Sequence, residues 1–154
     1  MRLDAATHGI ASLGALELLL AIRMSAVNME QMKVARHAAN PRKAADAFLQ
    51  SSYYKKWSRA QLNNTEYAPM LAVLMLLIKY NADRAGRKLT TFEKVSCYGA
   101  VASSVIFVVG LIRQGKLDHR NLRPGRGGIS PLRPLGAMAR YVSMAALIFS
   151  VMKG

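Results

Sequence analysis

One cysteine, three histidines and eight carboxylate side chains among 154 residues exclude several kinds of chemistry at the outset. A lone Cys97 cannot close an internal disulfide or found a thiolate metal centre. Its position inside an apolar run marks it as small packing volume. His8, His37 and His119 are too scattered to form a metal set. The shortage of acid leaves a formal net charge of +14, beside a hydrophobic fraction of 52%. A basic module that binds nucleic acid is seldom so apolar and carries its charge along exposed faces, so that class is excluded. Here long apolar blocks alternate with short basic ones, the pattern of a multi-pass membrane protein.

A spanning helix needs about 20 mostly apolar residues to cross a hydrocarbon layer of roughly 30 Å. Two runs meet this plainly, Val95 to Ile112 and Leu135 to Met152. A first span begins in GIASLGALELLLAI, and its helical character continues through MSAVNMEQMKVAR. A second, YAPMLAVLMLLIKY, reaches spanning length only if its helix starts near Arg59. The expected fold is therefore an all-α integral-membrane four-helix bundle, one domain over residues 1–154. No cleavable signal sequence is evident, and the first apolar run would serve as the membrane-entry signal. Thirteen Lys and Arg fall in the first-second and third-fourth connections against seven on the other side. That bias predicts those connections on the cytosol-like side. The third-fourth connection, RQGKLDHRNLRPGRGGISPLRP, is rich in Gly and Pro and is expected to be irregular.

Glu17 and Arg140 interrupt apolar runs. A charge near the bilayer centre costs about 2.5–3.5 kcal/mol on insertion scales, so each is expected to face the interior. The simplest arrangement pairs Glu17 with Arg140 or with Arg23. Small residues of the fourth span, among them Gly136, Ala137 and Ser143, suit close helix approach.

The segment WSRAQLNNTEYAPM puts polar groups directly before the apolar run LAVLMLLI. On a helix, Arg59, Asn63, Glu66, Tyr67 and Met70 share one face. A guanidinium can grip a carboxylate in two parallel bonds, a carboxylate can hold an ammonium, and an amide can meet a peptide group. The face thus suits a small zwitterion. It equally suits an interfacial helix whose polar groups pair with one another and with lipid headgroups.

The order Arg59-Ala60-Gln61, Asn63, Glu66-Tyr67 and Pro69 resembles the second-helix signature of the MAPEG superfamily, membrane-associated proteins of eicosanoid and glutathione metabolism. The likeness is greatest to its leukotriene C4 synthase and microsomal glutathione transferase branch. It is specific over about a dozen residues and architectural elsewhere. The resemblance implies a homotrimer in the endoplasmic reticulum or another organelle membrane, with glutathione as co-substrate bound between subunits. Arg59, Gln61, Asn63, Glu66 and Tyr67 would hold the tripeptide, and Arg36 would meet one of its carboxylates from the adjoining chain. The implied activity is glutathione transfer to, or reduction of, a hydrophobic lipid-derived substrate.

Active members also carry an arginine and two tyrosines in the third span. Ser103, Ser104, Phe107 and Leu111 stand there instead. The cations left to stabilise a thiolate are Arg113 and Arg133, at span ends where basic residues also snorkel to headgroups. The competing expectation is a non-catalytic MAPEG-like subunit, a lipid-binding scaffold or part of a larger membrane complex.

Overall fold

The computed structural model describes residues 4–120 and 131–153, with the side chains of 114–120 excepted. Every regular element among these is helical: α1 (Ala5–Arg36), α2 (Pro41–Gln50), α3 (Ser52–Arg84), α4 (Thr91–Arg120) and α5 (Leu132–Lys153). The all-α expectation holds. Three helices, α1, the Thr91–Arg113 part of α4, and α5, are long and apolar enough to cross a membrane. The expected second span, on α3, has the length but is more polar, because its first half carries the face quoted above.

The starts of α1 to α4 are written locally. The Asp4 carboxylate accepts from the Thr7 amide at 2.9 Å, and the Asn40 amide oxygen accepts from Lys43 N–H at 3.1 Å ahead of Pro41. The Ser51 hydroxyl accepts from the Tyr54 amide at 3.1 Å. At α4, Thr90 and Glu93 form a reciprocal pair: Glu93 accepts from Thr90 N–H at 2.6 Å, and Thr90 Oγ1 accepts from Glu93 N–H at 3.2 Å. α3 ends on Gly86, at φ +62°, a left-handed conformation that costs glycine nothing. There Arg87 N–H reaches Ala82 O at 3.0 Å and Gly86 N–H reaches Asp83 O at 3.1 Å, which consumes two end carbonyls.

Two expectations change. Short α2 lies inside the first connection, where the amphipathic run PRKAADAFLQ was not foreseen as a helix. The third-fourth connection is helical as far as Arg120 rather than irregular from Arg113, and residues 121–130 lie outside the described residues.

The four long helices pack on one another, α3 against α1, α4 and α5, and α4 most extensively against α5. One face of α3, Ala60, Asn64, Ala68, Leu71, Met75, Ile78 and Ala82, is buried along its length. It meets Leu13, Cys97, Ala100 and Leu147 in the main core, and Leu20, Phe107, Val108 and Leu111 in a second cluster beside Ala60. Cys97 is fully buried, in keeping with a packing role. α4 and α5 approach closely because Gly136 faces the Phe107 backbone and Gly110 faces the Arg133 backbone; a Cβ on either would come within 2.6 Å of backbone nitrogen. The outer surface is apolar: Leu18, Leu19 and Ile22 on α1, Val73 and Leu76 on α3, and Val142 and Met152 on α5 are all well exposed. Such a belt on several helices is what a lipid-facing surface presents.

Candidate functional site

The buried stripe of α3 divides its polar residues into two sets. Asn64, only 1% exposed, points inward, and its amide donates to Glu17 Oε2 at 2.6 Å. Thr65 donates to Glu17 Oε1 at 2.5 Å. Glu17 is therefore held by two neutral donors of α3, not by Arg140 or Arg23 as expected. An amide and a hydroxyl satisfy a carboxylate without burying a second charge, which avoids the desolvation cost of an internal ion pair. Arg23 instead lies 3.7 Å from Glu30, donates to the Tyr53 hydroxyl, and stands 5.0 Å from the Trp57 ring centroid.

The other set faces out. Arg59 and Glu66 are exposed, and Gln61, Asn63 and Tyr67 are half-buried. Neither Arg59 nor Glu66 forms an ion pair among the described residues. The Asn63 amide donates back to the Arg59 carbonyl at 3.1 Å, leaving its oxygen outward. Arg59, Asn63, Glu66 and Tyr67 thus lie together on one accessible face of α3, whereas Gln61, about 160° round the helix from Arg59, lies across the buried stripe on the side of Thr65 and does not join them.

Arg36 does not join them within the chain. Arg23 is the α1 residue at the level of Tyr53 and Trp57, and Arg36 lies 13 positions beyond it, about 20 Å further along the helix. Arg113 is exposed at the end of the apolar part of α4. Arg133 is half-buried in the first turn of α5, its backbone against Gly110. Since Ala60 packs in one cluster with Phe107, Val108 and Leu111, both arginines stand at the same end of the bundle as Arg59.

The residue that sequence reasoning assigned elsewhere is Arg140. Its side chain is 2% exposed, and its guanidinium carbon lies 4.9 Å from the Tyr67 ring centroid and 4.5 Å from that of Phe107. No carboxylate pairs with it among the described residues, and Nε and Nη2 have no hydrogen-bond partner there. The rings compensate part of the charge through their electron-rich faces. They accept none of the in-plane N–H groups. The Tyr67 and Tyr141 hydroxyls lie 3.2 Å apart, so Tyr67 connects the outward face of α3 to α5. The signal for this cluster was an arginine inside an apolar run followed by tyrosine, and it could not reveal which rings would flank the charge.

On α4, the Ser103 and Ser104 hydroxyls both return to the Ala100 carbonyl, at 3.0 and 2.9 Å, and Phe107 and Leu111 are core. At the opposite end of the bundle a cavity of about 560 Å³ is lined by Asp4, Lys79, Asp83, Arg87, Lys88 and Lys94 among others. Most of its charge is spent internally: Lys79 bridges Asp4 and Asp83 at 2.9 Å each, and Arg87 grips Glu93 through two 2.9 Å bonds. No group of three or more metal-ligating side chains occurs among the described residues. No family model, curated protein or solved structure matches the chain.

Proposed function

We propose that the chain is a multi-pass membrane protein of MAPEG type, which binds glutathione and transfers it to, or uses it to reduce, a hydrophobic lipid-derived substrate. One observation carries this reading: Arg59 and Glu66 are exposed and have no ion-pair partner among the described residues, with half-buried Asn63 and Tyr67 on the same face, while the adjoining Ala60, Asn64 and Ala68 are sealed in the core. Unpaired charges of both signs beside an apolar belt are matched by a ligand carrying both signs. In this reading Arg59 takes a carboxylate, Glu66 the ammonium, and Asn63 a peptide group. α3 crosses the bilayer as a fourth span, its second half contributing Val73 and Leu76 to the lipid-facing belt. A neighbouring copy in a homotrimer closes the open side.

Turnover needs a thiolate. Lowering a thiol pKa from about 8.5 to about 6.5 takes roughly 2.7 kcal/mol of preferential stabilisation. Arg133 and Arg113, at the same end as the face, are the cations for that role. A thiolate held by them attacks an electrophilic carbon, forming the C–S bond as the leaving group or ring oxygen takes the electron pair and then a proton.

The experiment is titration of detergent-solubilised protein with glutathione, followed by calorimetry and by thiolate ultraviolet absorbance. Saturable binding lost in Arg59→Ala and in Glu66→Ala supports the reading. No heat and no change in melting temperature at millimolar glutathione removes it.

A second reading, a non-catalytic lipid-binding subunit, is favoured by the α4 face: its serines are bonded to their own helix, and its next residues are core. Glutathione binding without conjugation of any model electrophile would select it. Conjugation abolished by Arg133→Ala or Arg113→Ala would exclude it.

A further inference from the structure

The cavity of about 560 Å³ at the end of the bundle opposite Arg59 falls within the size range of small-ligand sites. The start of α1, the last turns of α3, residues 87–89 of the following turn and the first turns of α4 build it. Its carboxylates are all engaged. Asp4 and Asp83 share the Lys79 ammonium at 2.9 Å each, and both oxygens of the adjoining Glu93 are taken by Arg87. Lys88 and Lys94 also line the cavity, are exposed, and form no ion pair among the described residues. The Lys79 group is negative by one charge, Arg87 with Glu93 is neutral, and Lys88 with Lys94 is positive by two. The site as a whole is positive by one, and the two lysines supply that excess.

We infer that this cavity holds the phosphate of an anionic phospholipid, between the Lys88 and Lys94 ammonium groups. The inference rests on the reading above only in placing the chain in a bilayer, and it is independent of glutathione. Lysine meets phosphate as a compact point charge with three donors, so two lysines can share one oxyanion. A lipid is favoured over a water-borne phosphate by what continues from the lysines along α4. Lys94, Tyr98, Ala102 and Val105 recur at i, i+4, i+8 and i+11, which is one face of the helix, and all four are exposed. That face begins inside the cavity, which Lys94 and Tyr98 both line, and runs about 16 Å along α4. Val95 widens the same exposed strip. Lys94 then meets the headgroup, Tyr98 stands at the interface where amphipathic rings settle, and Ala102 and Val105 lie against an acyl chain. Lysines at a membrane edge commonly reach whichever headgroup is near. Here a concave wall of engaged carboxylates makes one site in place of a diffuse attraction.

The test is native mass spectrometry of detergent-solubilised full-length protein titrated with phosphatidylglycerol. Phosphatidylethanolamine, which keeps the phosphate but is neutral overall, and soluble glycerol phosphate are run in parallel. One phosphatidylglycerol per chain is expected to bind saturably, at least about tenfold more tightly than either control. Lys88→Gln combined with Lys94→Gln is expected to weaken it by about tenfold or more. Arg42→Gln combined with Lys43→Gln removes equal charge from exposed positions of α2 and should leave it within about twofold. Glutathione affinity should stay within about twofold in both. All four side chains are exposed, so neither pair disturbs the core, and the lipid comparison in the unaltered protein needs no variant. Equal weakening by the two pairs would reduce the effect to general charge and overturn the inference. So would equal binding of phosphatidylethanolamine, uptake of phosphatidylglycerol without saturation, or equally tight glycerol phosphate, which would place the source in water. Phosphatidylglycerol decides this inference and glutathione decides the reading above, so either can fail alone.

Discussion

The Asn64 amide of α3 donates to the Glu17 carboxylate of α1 across 2.6 Å, joining residues 47 positions apart in the chain. Its neighbour Asn63 faces the other way and donates to the Arg59 carbonyl of its own helix. Two adjacent asparagines therefore have opposite roles. Asn64→Ala is expected to destabilise the protein by about 1.5–3 kcal/mol, the range for a hydrogen bond to a charged group. Asn63→Ala should leave the melting temperature nearly unchanged and weaken glutathione instead. Thermal melts and calorimetry on the two variants check the division.

Gly136 and Gly14 form a second contrasting pair. A Cβ at Gly136 would fall 2.5 Å from the Phe107 backbone nitrogen, whereas one at Gly14 meets nothing within 4 Å. Gly136→Ala must push α5 from α4 and is expected to cost about 1–3 kcal/mol. Gly14→Ala, in the interior of α1, should stabilise by about 0.5–1 kcal/mol. A reversed order in denaturation experiments would show that the α4–α5 crossing is looser than this geometry.

Asp4 should make stability depend on acid pH. Burial by itself would raise its carboxyl pKa, but the Thr7 amide and the Lys79 ammonium outweigh it and hold the value below the usual carboxylate range. A depressed folded-state pKa contributes stability that is fully present above the unfolded value, near 3.8. That contribution is lost as pH falls through the lower folded value. Asp4→Asn keeps a capping oxygen and loses the charge. It should melt below the unaltered protein at pH 7, with the difference vanishing once the pH is below both values. A difference independent of pH would mean that the cap, not the ion pair with Lys79, sets the contribution.

Cys97 is fully buried in the core, near Gly9 of α1. A thiol reagent should label it only after the helices are separated by denaturant. Cys97→Ser would bring a hydroxyl among Met75, Ala100 and Leu147 and is expected to cost about 1–3 kcal/mol, unless the hydroxyl bonds back to its own helix. Rapid labelling of the native protein would contradict the packing described here.

Local periodicity carried much of this protein. Apolar runs of spanning length, basic connections and a polar face repeating at helical spacing are properties of neighbouring residues, so the long helices and the shared face of Arg59, Asn63, Glu66 and Tyr67 were legible in the chain itself. That Glu17 and Arg140 had to turn inward also followed from the cost of charge in an apolar run. Their partners did not. Whether Glu17 meets an arginine or an asparagine depends on the rotation and height of α1 against α3, and those are decided by how side chains distant in sequence interlock, as at Gly9 and Met75. The same packing turned Asn64 inward and Asn63 outward, and left Arg140 beside two rings with Nε and Nη2 of its guanidinium unpartnered among the described residues.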